Sequence, residues 1–193
     1  QDWVKKMQDP SVNFYEVPTP VAGPDANVCD TLYTLNATPS VGTGTWSKVF
    51  GPGIATFSDV NDPNATVSVS QYGTYLFEWE EVTGLCSASS FVTVNFFATP
   101  ISDAGADDTV CASSYDLIAS GSGNWTQIAG PGTSSFNNSN SPLAIVTVDS
   151  MGTYDFTWTM SNNGCISSDT VRIIFTAPPI PFAFVGCFPD VLK

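Results

Sequence analysis

The sequence contains no histidine, and only five of its 193 residues are lysine or arginine. Without an imidazole, Ser-His and Cys-His nucleophile pairs and histidine-ligated zinc sites are excluded. The five cations lie apart from one another, so the basic stripe that binds nucleic-acid phosphates is missing. No apolar run approaches the ~18 residues of a membrane-spanning helix. These absences predict a protein that is not an enzyme and has no cofactor, no bound metal, no nucleic-acid partner and no transmembrane segment.

The residues that are present favour an exported β-protein. Asp and Glu number 18, which gives a net charge of −13, and the chain is rich in Gly (15) and Pro (14). A negative net charge of this size keeps an exposed protein soluble. Few stretches of the sequence favour a helix. The first residues, Gln1-Asp2-Trp3, suit a mature N-terminus left by signal-peptide cleavage. We therefore expect a secreted protein.

An internal repeat organises the chain. Six landmarks recur 79 residues later, and upstream of them Cys29 matches Cys111 at an offset of 82 residues. A three-residue insertion in the first copy, around residues 41–44, accounts for the change of offset. One offset shared by six landmarks predicts two domains, at residues 21–100 and 101–179. The first-copy landmarks are Trp46, Gly51-Pro52-Gly53, Gly73-Thr74-Tyr75, Trp79, Cys86 and Phe96.

Within each copy the strands are short and alternating. Residues 91–96 and 170–175 alternate β-branched or aromatic residues with others, as strands do. Thr83-Gly84 and Asn162-Asn163-Gly164 are predicted hairpin turns, because Gly and Asn tolerate positive φ. Six or seven such strands per copy predict an all-β fold of two tandem immunoglobulin-like sandwiches behind a short N-terminal segment.

Two aromatic patterns support this fold. A Tyr that opens the penultimate strand after Gly predicts a tyrosine corner, at Tyr75 and Tyr154. Trp46 and Trp125 fall where such sandwiches bury a tryptophan, so we expect both in the core. The alternative is a row of exposed indoles that stack on sugar. The solvent exposure of four indoles distinguishes the two interpretations: Trp46, Trp79, Trp125 and Trp158.

The chain resembles PKD-like immunoglobulin domains in the order of its motifs: Cys, Trp, Gly-Pro-Gly, Gly-Thr-Tyr-x-Phe-x-Trp, Asn-Gly-Cys, then Asp-Thr-Val. Such domains are strung along Bacteroidetes cell-surface proteins, including gliding-motility adhesins and other type IX secretion cargo. The resemblance covers both copies. It implies a location at the bacterial cell surface, reached through the periplasm, and says little about the ligand.

Residues 1–17 are similar to a segment that follows the signal peptide of many secreted proteins of the same phylum. By its own chemistry, Asp2 is suited to cap a helix of about two turns that ends before Pro10. Trp3, Val4 and Met7 would share one face of this helix and dock on a partner. The alternative is a frayed terminus. Pro18-Thr19-Pro20 completes the segment of residues 1–20 as a stiff linker.

The cysteines recur as pairs, which favours the disulfides Cys29–Cys86 and Cys111–Cys165. There is a geometric objection, because in a standard sandwich the two members of each pair lie at opposite ends. The rival pairing is an inter-domain bridge, Cys29–Cys165. The fifth cysteine, Cys187, lies in the apolar tail of residues 180–193, which we expect to begin a further repeat or to add as a strand to a partner's sheet.

Two groups of surface residues are candidates for calcium binding and for O-glycosylation. Four aspartates near the domain entrances would hold Ca²⁺ or remain solvated loop acids: Asp25, Asp103, Asp107 and Asp108. Four hydroxyls follow Asp and precede an apolar residue, a pattern that resembles the O-glycosylation acceptor motif of the same phylum: Thr31, Thr109, Ser150 and Thr170. The alternative for the hydroxyls is ordinary turn and strand chemistry.

The sequence therefore predicts a non-catalytic structural or adhesive module of a secreted bacterial surface protein, whose partner is a protein or a surface glycan. One alternative is an accessory subunit of an outer-membrane secretion or gliding-motility complex, docked through Trp3, Val4 and Met7. A second alternative is a carbohydrate-binding module.

Overall fold

The computed structural model describes residues 13–177 and divides the chain into two compact units between Ala98 and Thr99. We call residues 13–98 domain 1 and residues 99–177 domain 2. None of the described residues belongs to a helix that is long and apolar enough to cross a membrane. The predicted helix with Trp3, Val4 and Met7, and the tail of residues 180–193 with Cys187, lie outside the described residues.

Domain 1 contains seven strands in two sheets. The four-stranded sheet has the order β1-β7-β6-β3 and the three-stranded sheet has the order β2-β5-β4. All pairs are antiparallel except β1, which runs parallel to β7. The strands are β1 (Ala26–Val28), β2 (Leu32–Thr34), β3 (Thr43–Phe50), β4 (Ala55–Phe57), β5 (Thr66–Val69), β6 (Gly73–Thr83) and β7 (Cys86–Phe96).

Domain 2 repeats this arrangement strand for strand. Its sheets have the orders β10-β13-β14-β8 and β11-β12-β9, and β8 runs parallel to β14. The hairpin turns fall where the sequence predicts them, with positive φ at Gly84, Asn163 and Gly164. The strands are β8 (Asp108–Val110), β9 (Ser114–Asp116), β10 (Gly123–Ala129), β11 (Ser134–Phe136), β12 (Ile145–Val148), β13 (Gly152–Asn162) and β14 (Cys165–Phe175).

Each domain encloses its own core between its two sheets. Buried and outward residues alternate along β6: the side chains of Tyr75, Phe77 and Trp79 are buried, while the residues between them face outward. The same aromatic packing occurs twice. The rings of Trp46 and Trp79 lie 5.1 Å apart at 51°, and those of Trp125 and Trp158 lie 5.1 Å apart at 48°. The prediction of an all-β chain with two tandem immunoglobulin-like sandwiches is confirmed.

Candidate functional site

The four tryptophans of the two domains are core residues. Each is at most 2% exposed, and each indole nitrogen donates a hydrogen bond inside its own domain. Trp46 Nε1 donates to the Asp62 carbonyl and Trp125 Nε1 to the Ser141 carbonyl, both at 3.1 Å. Buried indoles cannot stack on a sugar, so these four residues form no carbohydrate platform. The prediction that Trp46 and Trp125 are core residues is confirmed.

Both predicted tyrosine corners are present. Tyr75 is fully buried, and its hydroxyl donates to the Gln71 carbonyl at 2.8 Å, with the Pro52 carbonyl also in reach. The Tyr154 hydroxyl donates to the Ser150 carbonyl at 2.9 Å. Burial raises the pKa of the Tyr75 hydroxyl above its ordinary value. The hydroxyl therefore stays protonated and ties the loop before β6 to the core.

Removing the Tyr75 hydroxyl is expected to destabilise domain 1. The Tyr75→Phe substitution leaves a partly buried carbonyl without its donor, which should cost about 1–2 kcal/mol. Urea titration followed through assigned NMR amide signals measures each domain separately. Tyr154→Phe should lower the stability of domain 2 instead, and an unchanged domain 1 in Tyr75→Phe would contradict the proposed corner.

The core of domain 1 also contains a charged side chain that our sequence analysis missed. Glu81 is 1% exposed. Its carboxylate accepts hydrogen bonds from the Ser40 amide and hydroxyl, the Val41 amide and Trp79 Nε1. Burial alone would raise the pKa of Glu81, but these donors outweigh it and hold the pKa below its ordinary value. The carboxylate is therefore charged and fully partnered, as a structural group is.

The repeat explains why only domain 1 has this carboxylate. Glu81 corresponds to Met160, and the extra residues of domain 1 lie in the loop that contains Ser40 and Val41. In domain 2, which has the shorter loop, Trp158 Nε1 donates to the Ser120 carbonyl at 2.9 Å instead. The inserted loop and Glu81 thus form one unit: the loop supplies donors, and the carboxylate anchors the loop to the core.

The predicted disulfides Cys29–Cys86 and Cys111–Cys165 are wrong. Cys86 and Cys111 are free thiols, whereas Cys29 and Cys165 are each disulfide-bonded. The reason lies within each domain. Cys29 follows Val28, which pairs with Phe96 at the far end of β7 from Cys86.

The length of β7 sets the distance between Cys86 at its start and the strand end beside Cys29. Ten residue steps of about 3.3 Å separate the positions of Cys86 and Phe96, roughly 33 Å in all, whereas bridged Cα atoms lie within about 7 Å. Domain 2 has the same geometry, because Cys111 follows Val110 beside Phe175 while Cys165 opens β14. The recurrence of the cysteines correctly predicts equivalent positions, but it does not predict partners.

Thiol chemistry tests this assignment. Alkylation of the unreduced chain in denaturant should label Cys86 and Cys111 and leave Cys29 and Cys165 unlabelled until a reductant is added. Peptide mapping by mass spectrometry gives the result directly. A recovered disulfide-linked peptide that contains Cys86 together with Cys29 would contradict it.

The four entrance aspartates each bond to their own domain. Asp25 accepts from the Thr93 amide at 2.7 Å and Asp107 from the Arg172 amide at 2.8 Å. Asp103 accepts from the Gly105 amide, and Asp108 accepts from the Thr109 amide and the Tyr115 hydroxyl. Within residues 13–177 no group of acidic or cysteine side chains converges in a way that would hold a metal ion. These carboxylates fasten edge strands and loops.

The four candidate acceptor hydroxyls lie in different settings. Thr109 and Ser150 are exposed. Thr170 is exposed on β14, but its Oγ1 lies 3.1 Å from Thr157 Oγ1 in a cross-strand contact. Thr31 is half-buried, and its amide and hydroxyl both face the Asp30 carboxylate. Thr109 and Ser150 therefore present the more accessible hydroxyls.

Domain 2 contains a small surface depression. It has a volume of about 240 Å³, and Asp107, Asp108, Tyr115, Leu117 and Ile118 contribute to its wall. Ligand pockets for small molecules typically have 300–1,000 Å³. The depression is thus below the usual size of a small-molecule site.

Comparison with known proteins supports the fold. No protein-family model matches the sequence, and no curated protein matches it. Among solved structures, extracellular domains 3-5 of Drosophila OTK align with a TM-score of 0.53 at 9% identity, over 84% of this chain and 63% of that one. The chain thus spans less than two thirds of the OTK fragment.

Two further solved structures are similar at lower TM-scores. A three-immunoglobulin-domain fragment of titin aligns at 0.39 and 16% identity, over 86% of this chain and 66% of that one. A SusE-like surface-located polysaccharide-binding protein from Bacteroides thetaiotaomicron aligns at 0.35 and 14% identity, over 86% and 35%. Both TM-scores are below 0.5, so these two likenesses carry no argument about the fold or the function of this chain.

Proposed function

We propose that this chain is a non-catalytic structural and adhesive module of a secreted protein at a bacterial cell surface. One observation carries the proposal: the chain is two copies of one sandwich, each with a closed core of its own. Domains that each complete their own core act as interchangeable spacers, because adding or removing one leaves the others folded. We assign the modules to residues 21–100 and 101–179.

The chemistry of the described residues supports an extracellular setting. Cys29 and Cys165 are each disulfide-bonded, a state that persists in oxidising compartments such as the periplasm and the cell exterior. The tyrosine corners and buried indoles serve packing. The resemblance to PKD-like domains supports an origin in a Bacteroidetes surface protein exported through the periplasm, and the exposed Thr109 and Ser150 are the acceptors we propose for O-glycosylation.

Surface display has a direct test in the source bacterium. An antibody raised against the folded chain should label intact, unpermeabilised cells, and external protease should remove the signal. A control antibody against a periplasmic protein should label only permeabilised cells. Labelling of this chain that also requires permeabilisation would contradict the proposal. Recovery of the chain in a stoichiometric outer-membrane complex would favour the accessory-subunit alternative.

A further inference from the structure

The outward faces of the two four-stranded sheets differ, although the inward faces are nearly identical. In domain 1 three apolar side chains adjoin one another on neighbouring strands: Phe50 pairs with Leu76, and Phe91 pairs with Glu78. Phe50 is 64% exposed and Phe91 is 50% exposed. Because Leu76 and Phe91 are diagonal neighbours on the same face, the three form a continuous stripe across β3, β6 and β7.

Domain 2 has polar, mutually satisfied side chains at the same positions. Leu76 and Thr93 of domain 1 correspond to Asp155 and Arg172, which form a two-point ion pair with N–O distances of 2.8 and 3.1 Å. Glu78 and Phe91 correspond to Thr157 and Thr170, whose hydroxyls lie 3.1 Å apart. Phe50 corresponds to Ala129. Domain 2 thus has ion-paired and hydrogen-bonded side chains where domain 1 has the apolar stripe.

The charges beside the stripe indicate the partner. Glu78 and Glu80 lie on the same face, and no lysine or arginine of residues 13–177 pairs with either of them. The nearby Lys48 is engaged elsewhere, since its Nζ donates to the Gly51 and Gly53 carbonyls. The ends of the face are polar, with the Thr74–Asn95–Asn27 hydrogen bonds at one of them. The face therefore combines an apolar centre with uncompensated negative charge.

We propose that this face of domain 1, formed by Phe50, Leu76, Glu78, Glu80 and Phe91, is a docking surface for a protein segment that presents apolar side chains flanked by lysine or arginine. A partner of this kind buries the stripe and pairs with both glutamates. A second copy docked through the same face does not fit, because it would bring four unpaired carboxylates together. The inference deepens the adhesive part of the proposed function and rests on it.

The partner chemistry is tested with defined peptides and the full chain. The probe is a synthetic β-hairpin whose one face carries leucine flanked by lysine. Two control hairpins replace all lysines by glutamate or all leucines by serine. Calorimetric titration should show one site for the leucine–lysine hairpin and at least tenfold weaker binding of each control. Equal binding of the serine–lysine hairpin would overturn the proposal, because charge alone would then suffice. Absence of binding by the leucine–lysine hairpin would also overturn it.

The chain provides its own matched variants. The first variant gives domain 1 the outer face of domain 2: Phe50→Ala, Leu76→Asp, Glu78→Thr, Glu80→Thr, Phe91→Thr and Thr93→Arg. It should bind the hairpin at least tenfold more weakly. The second variant makes the reverse exchange in domain 2: Ala129→Phe, Asp155→Leu, Thr157→Glu, Thr159→Glu, Thr170→Phe and Arg172→Thr. It should raise the stoichiometry from one to two.

Folding of both variants is checked by near-ultraviolet circular dichroism of the buried indoles. We expect both to fold, because each new residue already occurs at the equivalent position of the other domain. Unchanged affinity in the first variant or unchanged stoichiometry in the second would overturn the proposal. Two further results would also overturn the proposal. A dimer that is seen by sedimentation and is abolished in the first variant would assign the face to a second copy. Binding of dextran, xylan or mannan that is abolished in the first variant would assign the face to a glycan. Cell-surface labelling does not depend on this face, so failure here is distinguishable from failure of the proposed function.

Discussion

A Gly44→Ala substitution is expected to lower the free energy of unfolding of domain 1 by about 3 kcal/mol, the upper end of the range for overpacking. A Cβ on Gly44 would lie 1.9 Å from Cζ2 of Trp79, the indole ring that covers this glycine from the neighbouring strand. Trp79 is 1% exposed and packs on Trp46. The ring therefore cannot move aside without displacing the core.

The measurement is a urea titration followed through assigned NMR amide signals, with domain 2 as an internal reference. The control is Thr43→Ala, an exposed position on the same strand, which should cost less than about 1 kcal/mol. Combining Gly44→Ala with Trp79→Phe should cost at least about 1 kcal/mol less than the sum of the two single changes, because the smaller ring leaves room for the methyl group. Strict additivity would contradict the proposed close approach.

Glu81→Ala is expected to destabilise domain 1 by about 3 kcal/mol at neutral pH. The substitution leaves the Ser40 amide, the Val41 amide and Trp79 Nε1 without their acceptor, and an unsatisfied buried donor costs about 1–3 kcal/mol. Glu81→Gln keeps one acceptor oxygen and should cost less than Glu81→Ala. Domain 2, which has Met160 at the equivalent position, should be unaffected in both variants.

The pH dependence of this effect has a definite sign. The pKa of Glu81 is held below its ordinary value of 4.5 in the folded domain. A depressed folded pKa contributes stability above the unfolded pKa, and this contribution is lost as the pH falls through the folded value. The stability difference between the wild type and Glu81→Gln should therefore be largest at pH 6–7 and shrink below about pH 4. A difference that grows on acidification would contradict the charged, hydrogen-bonded carboxylate.

The inward-facing residues of each four-stranded sheet could be predicted from the sequence, because the two-residue alternation of a strand and the 79-residue repeat select the same positions. Tyr75, Phe77 and Trp79 alternate with outward residues and recur 79 positions later as Tyr154, Phe156 and Trp158. Burial of an aromatic row forces such alternation. The glycine before each tyrosine then locates the corner. The same reasoning extends to Glu81, which continues the inward row, yet its partners lie 40 residues upstream in a loop whose path the pattern does not determine.

Disulfide partners and outer faces could not be predicted in this way. Recurrence shows that Cys29 and Cys111 are equivalent positions. The disulfide partners, however, depend on which end of a strand each cysteine occupies. That placement follows from the parallel alignment of β1 with β7. The stripe formed by Phe50, Leu76 and Phe91 crosses three strands. It becomes visible only when the register brings residues from distant parts of the sequence side by side.

The independence of the two sandwiches is tested most directly by producing residues 13–98 and residues 99–177 separately, with Cys29→Ser in the first and Cys165→Ser in the second. Each piece contains a complete aromatic core, so each should show the near-ultraviolet circular dichroism of buried indoles and one cooperative unfolding transition. These results would establish the chain as two self-contained modules. A piece without an indole signal and without a cooperative transition would contradict the account.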